Sequence, residues 1–179
     1  MSLKHGILGL LTYGEKTGYD LSKFFKSSLA LFWDAKTSQI YRELDKMEEN
    51  GWLSSRSIIQ SDKPNKRVYS ITEYGQDELM DWLCHPETDI DDAMRVKSAF
   101  LMRIFFSEGV GRKKTLEVLY KYKEKCQARM AEIGQASVHI KNQPDAERTT
   151  YWQLTAMFGE TMLEARINWA DKAIAVLEG

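Results

Sequence analysis

Between residues 3 and 83 the apolar residues change period from helical to alternating and back, and few folds accommodate that order. Leu3, Ile7, Leu8, Leu10 and Leu11 recur at helical spacing. Tyr13-Gly14 closes that first helix, because glycine readily takes the left-handed cap conformation. A second helix begins near Thr17-Gly18 and carries Leu21, Phe24, Phe25 and Leu29 along one side. Trp33-Asp34-Ala35-Lys36 makes a short connection to a third helix, which Thr37 or Ser38 is suited to cap. Asn50-Gly51 stops it, since both residues tolerate positive φ. Trp52-Leu53 opens a strand that continues through residues 57–60, and residues 68–71 return antiparallel to it. The turn between them, residues 61–66, is rich in Asp, Pro and Asn. Thr72 then caps a fourth helix with Leu79, Trp82 and Leu83 on its buried side. Three helices, a hairpin and a helix in this order predict a winged helix-turn-helix.

The third helix suggests what such a fold would touch. On a wheel of about 100° per residue, Leu44 and Met47 fall beside Ile40, while Ser38 and Arg42 fall almost opposite. Gln39 and Lys46 flank that polar side, and Tyr41 lies at its border. Asp45 and Glu49 share the outward face only in the later turns, where they would repel phosphates. A helix that enters a major groove by its N-terminal end suits this distribution, and that end also offers the positive pole of the helix dipole. The formal net charge is −1, yet positive charge is concentrated at Arg56, Lys63, Lys66 and Arg67, with only Asp62 against it. Read singly, the polar helix face is solvated surface and the basic tip is a guard against edge pairing. Read together, they predict phosphate contacts from Lys36, Lys63, Lys66 and Arg67, and base contacts from Gln39 and Arg42. The competing reading is a winged helix that binds another protein and no operator.

The second half reads as helical. Residues 86–92 resemble an acidic linker, so the expected division is a DNA-binding domain over 1–86 and a helical domain over 87–179. Met94, Lys97, Phe100, Leu101, Ile104 and Phe105 mark an apolar helix broken near residues 107–111. A long helix then carries Leu116, Leu119, Tyr120, Cys126, Met130 and Ile133. After Pro144 a last helix carries Trp152, Met157, Phe158, Met162, Trp169 and Val176. Long helices with mixed heptad-like faces predict pairing with a second copy; the alternative is a three-helix bundle within a monomer. The aromatic and methionine side chains have two readings, core or the border of a pocket for a small flat ligand. In the second reading Trp33, Trp152 and Phe158 line the pocket, and Lys97, Arg148 or Arg166 pairs with a carboxylate.

Several classes are disfavoured. The sequence holds no HExxH, nucleophile elbow, phosphate-binding glycine loop or paired Cys/His ligands, so neither an enzyme nor a metal or other cofactor is expected. Cys84 and Cys126 do not make a disulfide framework and read as reduced thiols, wholly or partly buried. His5, His85 and His139 stand apart in sequence. No apolar run is long enough to span a bilayer and no signal-peptide pattern opens the chain, which predicts a cytoplasmic protein without membrane contact.

Four stretches carry a family resemblance. They are Gly18-Tyr19-Asp20-Leu21, the run from Phe32-Trp33-Asp34 through Tyr41-Arg42-Glu43-Leu44, Glu49-Asn50-Gly51-Trp52-Leu53, and Lys66-Arg67-Val68-Tyr69-Ser70-Ile71-Thr72. They resemble the PadR family of bacterial transcriptional regulators, specifically over the first half and more weakly beyond it. The segment around Phe32-Trp33 is most similar to the phenolic-acid-responsive branch. The resemblance implies a homodimer, joined through C-terminal helices, that binds operator DNA and usually represses a neighbouring gene. It implies a hydroxycinnamate effector. It also implies that Ser38, Gln39, Tyr41 and Arg42 belong to the recognition helix, Tyr19 to the second helix, and Lys66, Arg67 and Tyr69 to the wing.

Overall fold

The computed structural model describes residues 3–27, 29, 32–33, 35–59, 65–94, 97–141 and 145–179. They form two compact units, Met1–Arg95 and Val96–Gly179.

The first unit contains helices α1 (Leu3–Leu11), α2 (Gly18–Ser27), α3 (Thr37–Glu49), α4 (Glu73–Cys84) and α5 (Glu87–Ala93). It also contains strands β1 (Lys16–Thr17), β2 (Leu53–Ile58) and β3 (Lys66–Ile71). Ile7, Leu8, Leu21, Phe25, Ile40, Leu44 and Met47 meet in one core, with Leu53, Tyr69 and Leu79 closing it. The apolar stripes of α1, α2 and α3 thus face one another, as their spacing predicts. Phe24 departs from its predicted side and is partly exposed.

The sheet has one strand more than the expected hairpin. Lys16 and Thr17 pair antiparallel with Tyr69 and Val68, giving the order β1-β3-β2. β3 is therefore central, with β1 bonded to one edge and β2 to the other. Thr17 also starts α2. Its hydroxyl accepts from the Asp20 amide at 3.1 Å, and the Asp20 carboxylate accepts from the Thr17 amide at 3.1 Å.

The cap predicted for α3 is placed differently. Thr37 lies inside the helix, and its hydroxyl meets that of Ser22 at 2.9 Å. Lys36 is the flanking residue, and its amide donates to the Gln39 side-chain carbonyl at 2.9 Å. At the other end Gly51 alone adopts positive φ, 75°. Asn50 keeps helical angles while its side-chain amide donates to the Lys46 carbonyl at 2.6 Å.

The acidic stretch after Pro86 is helix rather than linker. Glu87 and Asp89 occupy the first turn of α5, where their charge suits the helix dipole. Asp89 accepts from the Trp82 indole at 2.8 Å, which ties α5 to α4 and moves the division of the chain from residue 86 to 95. His5 stacks on Trp82 with centroids 4.5 Å apart, and its burial holds the imidazole below its usual pKa.

The second unit opens with α6 (Ala99–Phe105), capped by the Ser98 hydroxyl, which accepts from the Leu101 amide at 3.2 Å. A short 3-10 turn over Ser107–Val110 follows, then Gly111 at φ 80°. Two long helices complete the unit, α7 (Arg112–Lys141) and α8 (Ala146–Glu178). Tyr120 donates to Glu178 at 2.6 Å, Lys123 meets Asp171 at 2.5 Å, and Ser137 donates to Glu160 at 2.7 Å. One number rises as the other falls, so the pair is antiparallel. Their seam is a heptad: Leu119, Cys126 and Ile133 on α7 are buried, as are Thr149, Ala156, Leu163 and Ala170 on α8. Cys126 is thus part of the seam, whereas Cys84 is exposed, contrary to the expectation of burial.

Candidate nucleic-acid interface

The third helix presents the polar face predicted for it. Ile40, Leu44 and Met47 are wholly buried, while Ser38, Gln39 and Arg42 are exposed on its N-terminal turns. Lys36 is exposed at the start of the same helix. The Gln39 carbonyl is already engaged by the Lys36 amide, so its two-pronged contact to an adenine is not available in this arrangement.

Two tyrosines on α2 and α3 are exposed. Tyr19, in the first turn of α2, is 71% exposed, and Tyr41 is 42% exposed. The Tyr41 ring lies over Gly18, where an added Cβ would come within 2.6 Å of it. Glycine at this position lets the ring rest against the start of α2, a close approach between residues 23 positions apart that no local pattern encodes.

The wing departs most from expectation. Lys63 lies outside the described residues. Lys66 is exposed. Arg67 is not a free cation: it pairs with Glu48, approaches Asp45 at 3.4 Å and donates from Nε to the Ser55 hydroxyl at 2.8 Å. Arg56 likewise pairs with Glu15, whose other carboxylate oxygen accepts from Ser70 at 2.9 Å. Hydrogen bonds from Arg56 and then Ser70 hold the Glu15 carboxyl below its ordinary pKa. The positive patch read from the sequence is thus partly neutralised by carboxylates from outside the hairpin. Tyr69 is corrected from a wing contact to a core residue. It is 2% exposed because it lies on the central strand, and burial raises its phenol pKa.

The five residues predicted to form an effector pocket are divided between the two units. Trp33 packs against the core of the first unit, and Lys97 is exposed in the second. Trp152 is half-buried, Phe158 is 66% exposed and Arg166 is exposed, all on α8. Fourteen positions of helix separate Trp152 from Arg166, about 21 Å at 1.5 Å per residue. The second unit also carries an open groove of about 670 Å³ with Ile104, Leu119, Trp169 and Val176 among its apolar walls.

Among the described residues no group of three or more His, Cys, Asp or Glu side chains could hold a metal ion, and no helix is long and apolar enough to cross a membrane.

A polar helix N-terminus exposed beside a two-stranded wing defines the first unit as a winged helix-turn-helix of the nucleic-acid-binding type. Comparison with known proteins specifies the class. Residues 7–81 match the model of the transcriptional regulator PadR-like family, and residues 96–178 match that of the virulence activator alpha C-terminal domain. The negative transcriptional regulator PadR of Bacillus subtilis is 38% identical over 135 residues, which span 73% of this chain and 70% of that protein. This chain belongs to the PadR-like family of transcriptional regulators. The crystal structure of Bacillus subtilis PadR in complex with operator DNA superposes with a TM-score of 0.83 at 29% identity, covering 99% of both chains. The structure of that protein with p-coumaric acid gives a TM-score of 0.76 at 26% identity, covering 99% of this chain and 96% of the other.

Proposed function

We propose that this chain is a cytoplasmic, homodimeric repressor that binds a palindromic operator and is released by a small aromatic acid. The observation that carries the DNA reading is the exposed face of Ser38 and Arg42 opposite the buried Ile40, Leu44 and Met47. In this arrangement α3 enters the major groove by its first turns. Lys36, Lys63 and Lys66 contact phosphate, while Tyr19 and Tyr41 flank the strand. The relative bound to operator DNA supports this reading, and the word negative in that relative's name supports repression. The relative bound to p-coumaric acid supports an aromatic-acid effector.

Dimerisation is assigned to the second unit. The α7–α8 seam buries about one residue per heptad on each helix. It leaves Tyr151, Leu154, Phe158 and Met162 exposed at helical spacing along α8. A second copy of this face covers them. The two-fold axis so formed relates two α3 helices, as a palindromic site requires. The effector acts by favouring a dimer in which those helices no longer match the half-site spacing.

The test is fluorescence anisotropy of a labelled duplex taken from upstream of the chain's own gene, across a salt series and with p-coumaric acid added. Three lysines on each of two subunits predict that log K falls with log salt at a slope of about −5. The acid is expected to release the bound duplex. Failure to bind the duplex at any salt would favour a module that binds protein instead.

Tyr41 gives a second prediction. In Gly18→Ala the new methyl displaces the Tyr41 ring, a flexible side chain at the surface, so the melting temperature should move by only a few degrees. Operator affinity should fall about three- to tenfold if the ring flanks the DNA, a loss of order 1 kcal/mol. Unchanged affinity would remove Tyr41 from the interface.

A further inference from the structure

We propose that Arg67 is a positioning residue that pins the wing to α3, not a phosphate ligand. The proposal rests on the operator reading above and refines which side chains of that site meet the DNA.

The geometry closes a ring of contacts. Arg67 donates from Nε to the Ser55 hydroxyl at 2.8 Å, and Ser55 donates to Glu48 Oε1 at 2.6 Å. The guanidinium also pairs with Glu48 Oε2, so both oxygens of that carboxylate are engaged. Asp45 lies 3.4 Å from its remaining terminal nitrogen. All three guanidinium nitrogens therefore face partners within the protein. The guanidinium carbon also sits 5.3 Å from the ring centroid of buried Tyr69, which fixes its height above the strand.

Charge points the same way. One guanidinium faces two carboxylates, so a phosphate approaching Arg67 meets a local excess of negative charge. The ring also spans elements that are distant in sequence. Glu48 and Asp45 belong to α3, Ser55 to β2 and Arg67 to β3. On the other face of the hairpin Arg56, paired with Glu15, forms a second pin, and Glu15 also receives Ser70. The wing arginines thus tie the hairpin to α3 and to the segment that leads into β1, and exposed Lys66 is left to meet the backbone of the duplex.

The experiment measures anisotropy of the same upstream duplex across the salt series for the full-length protein and four variants: Arg67→Gln, Glu48→Gln, their double variant and Lys66→Gln. Pinning predicts that Arg67→Gln and Glu48→Gln each weaken binding about tenfold and that the double variant is no weaker than the worse single one. All three should keep the wild-type salt slope, while Lys66→Gln, a lost phosphate contact on each of two subunits, lowers its magnitude by about 2. Each paired side chain is substantially solvent-exposed or at the rim, so circular-dichroism melts should stay near wild type and separate lost positioning from lost folding. A reduced slope in Arg67→Gln overturns the proposal, as do tighter binding by Glu48→Gln and losses that multiply in the double variant. A wild-type protein that binds no duplex overturns the operator reading itself, a result distinct from any of these.

Discussion

Replacing Gly75 with alanine is expected to destabilise the first unit by about 3 kcal/mol, at the severe end of overpacking in a filled site. Gly75 is buried in the first turn of α4, and a Cβ there would lie 2.2 Å from the carbonyl oxygen of Trp52 and 3.0 Å from Ile71 Cγ1. The first neighbour is backbone and is not free to yield. The Trp52 carbonyl accepts from the Thr72 amide at 3.1 Å, and the Thr72 hydroxyl accepts from the Gly75 amide at 3.0 Å. The same hydroxyl donates to the Gly51 carbonyl at 2.7 Å. Moving any one of these groups breaks the α4 cap and the junction of β2 with β3 together. Gly9→Ala is the matched control. It lies within α1 with nothing inside 4 Å of the added Cβ, so it should gain about 0.5–1 kcal/mol from helix propensity alone. Thermal melts should therefore separate the two variants widely, with Gly75→Ala roughly 15 °C lower at some 4–8 °C per kcal/mol for a unit of this size. Equal melting temperatures would mean that α4 does not sit against Trp52 as described.

What could be read from the sequence was whatever the chain encodes locally. The stripe of Ile40, Leu44 and Met47 fixes one side of α3 and hence exposes Ser38 and Arg42, because helical period alone decides which residues share a face. The Thr72 cap was equally local, since it binds a group three positions on. The two-residue strand at Lys16–Thr17 was not legible, because two residues have no period. Missing it left Tyr69 on an apparently outer strand, although pairing on both edges makes β3 central. The pins were hidden for another reason. Glu48 and Arg67 are 19 positions apart, and Glu15 and Arg56 are 41 apart, so only the fold brings them together. Counting basic residues along the hairpin consequently overstated its free charge. The acidic run after Pro86 misled because its composition suits a solvated linker and a dipole-stabilised first turn alike.

Arg42→Ala is expected to cost the most at the level of operator choice. Arg42 stands exposed on the second turn of α3, on the face opposite Ile40 and Leu44. Gln39, the other side chain there with two-pronged capacity, has its carbonyl held by the Lys36 amide at 2.9 Å. Discrimination on this face therefore concentrates on the guanidinium, whose fork fits the O6 and N7 acceptors of guanine. Such a contact contributes about 1–3 kcal/mol, and a two-fold site uses it twice, so about 2–6 kcal/mol of specificity is at stake. At roughly 1.4 kcal/mol per tenfold, specific binding should weaken at least about thirtyfold. Affinity for an unrelated duplex at the same salt should change far less. Arg42→Lys separates charge from shape, because lysine keeps the positive charge but not the planar fork. It should retain more affinity than alanine while losing most of the guanine preference. Selection from a randomised duplex pool would display the effect as one symmetric pair of positions losing its preference in both variants. An unchanged preference in Arg42→Ala would shift base reading to Ser38 or to the wing, and with it the depth at which α3 enters the groove.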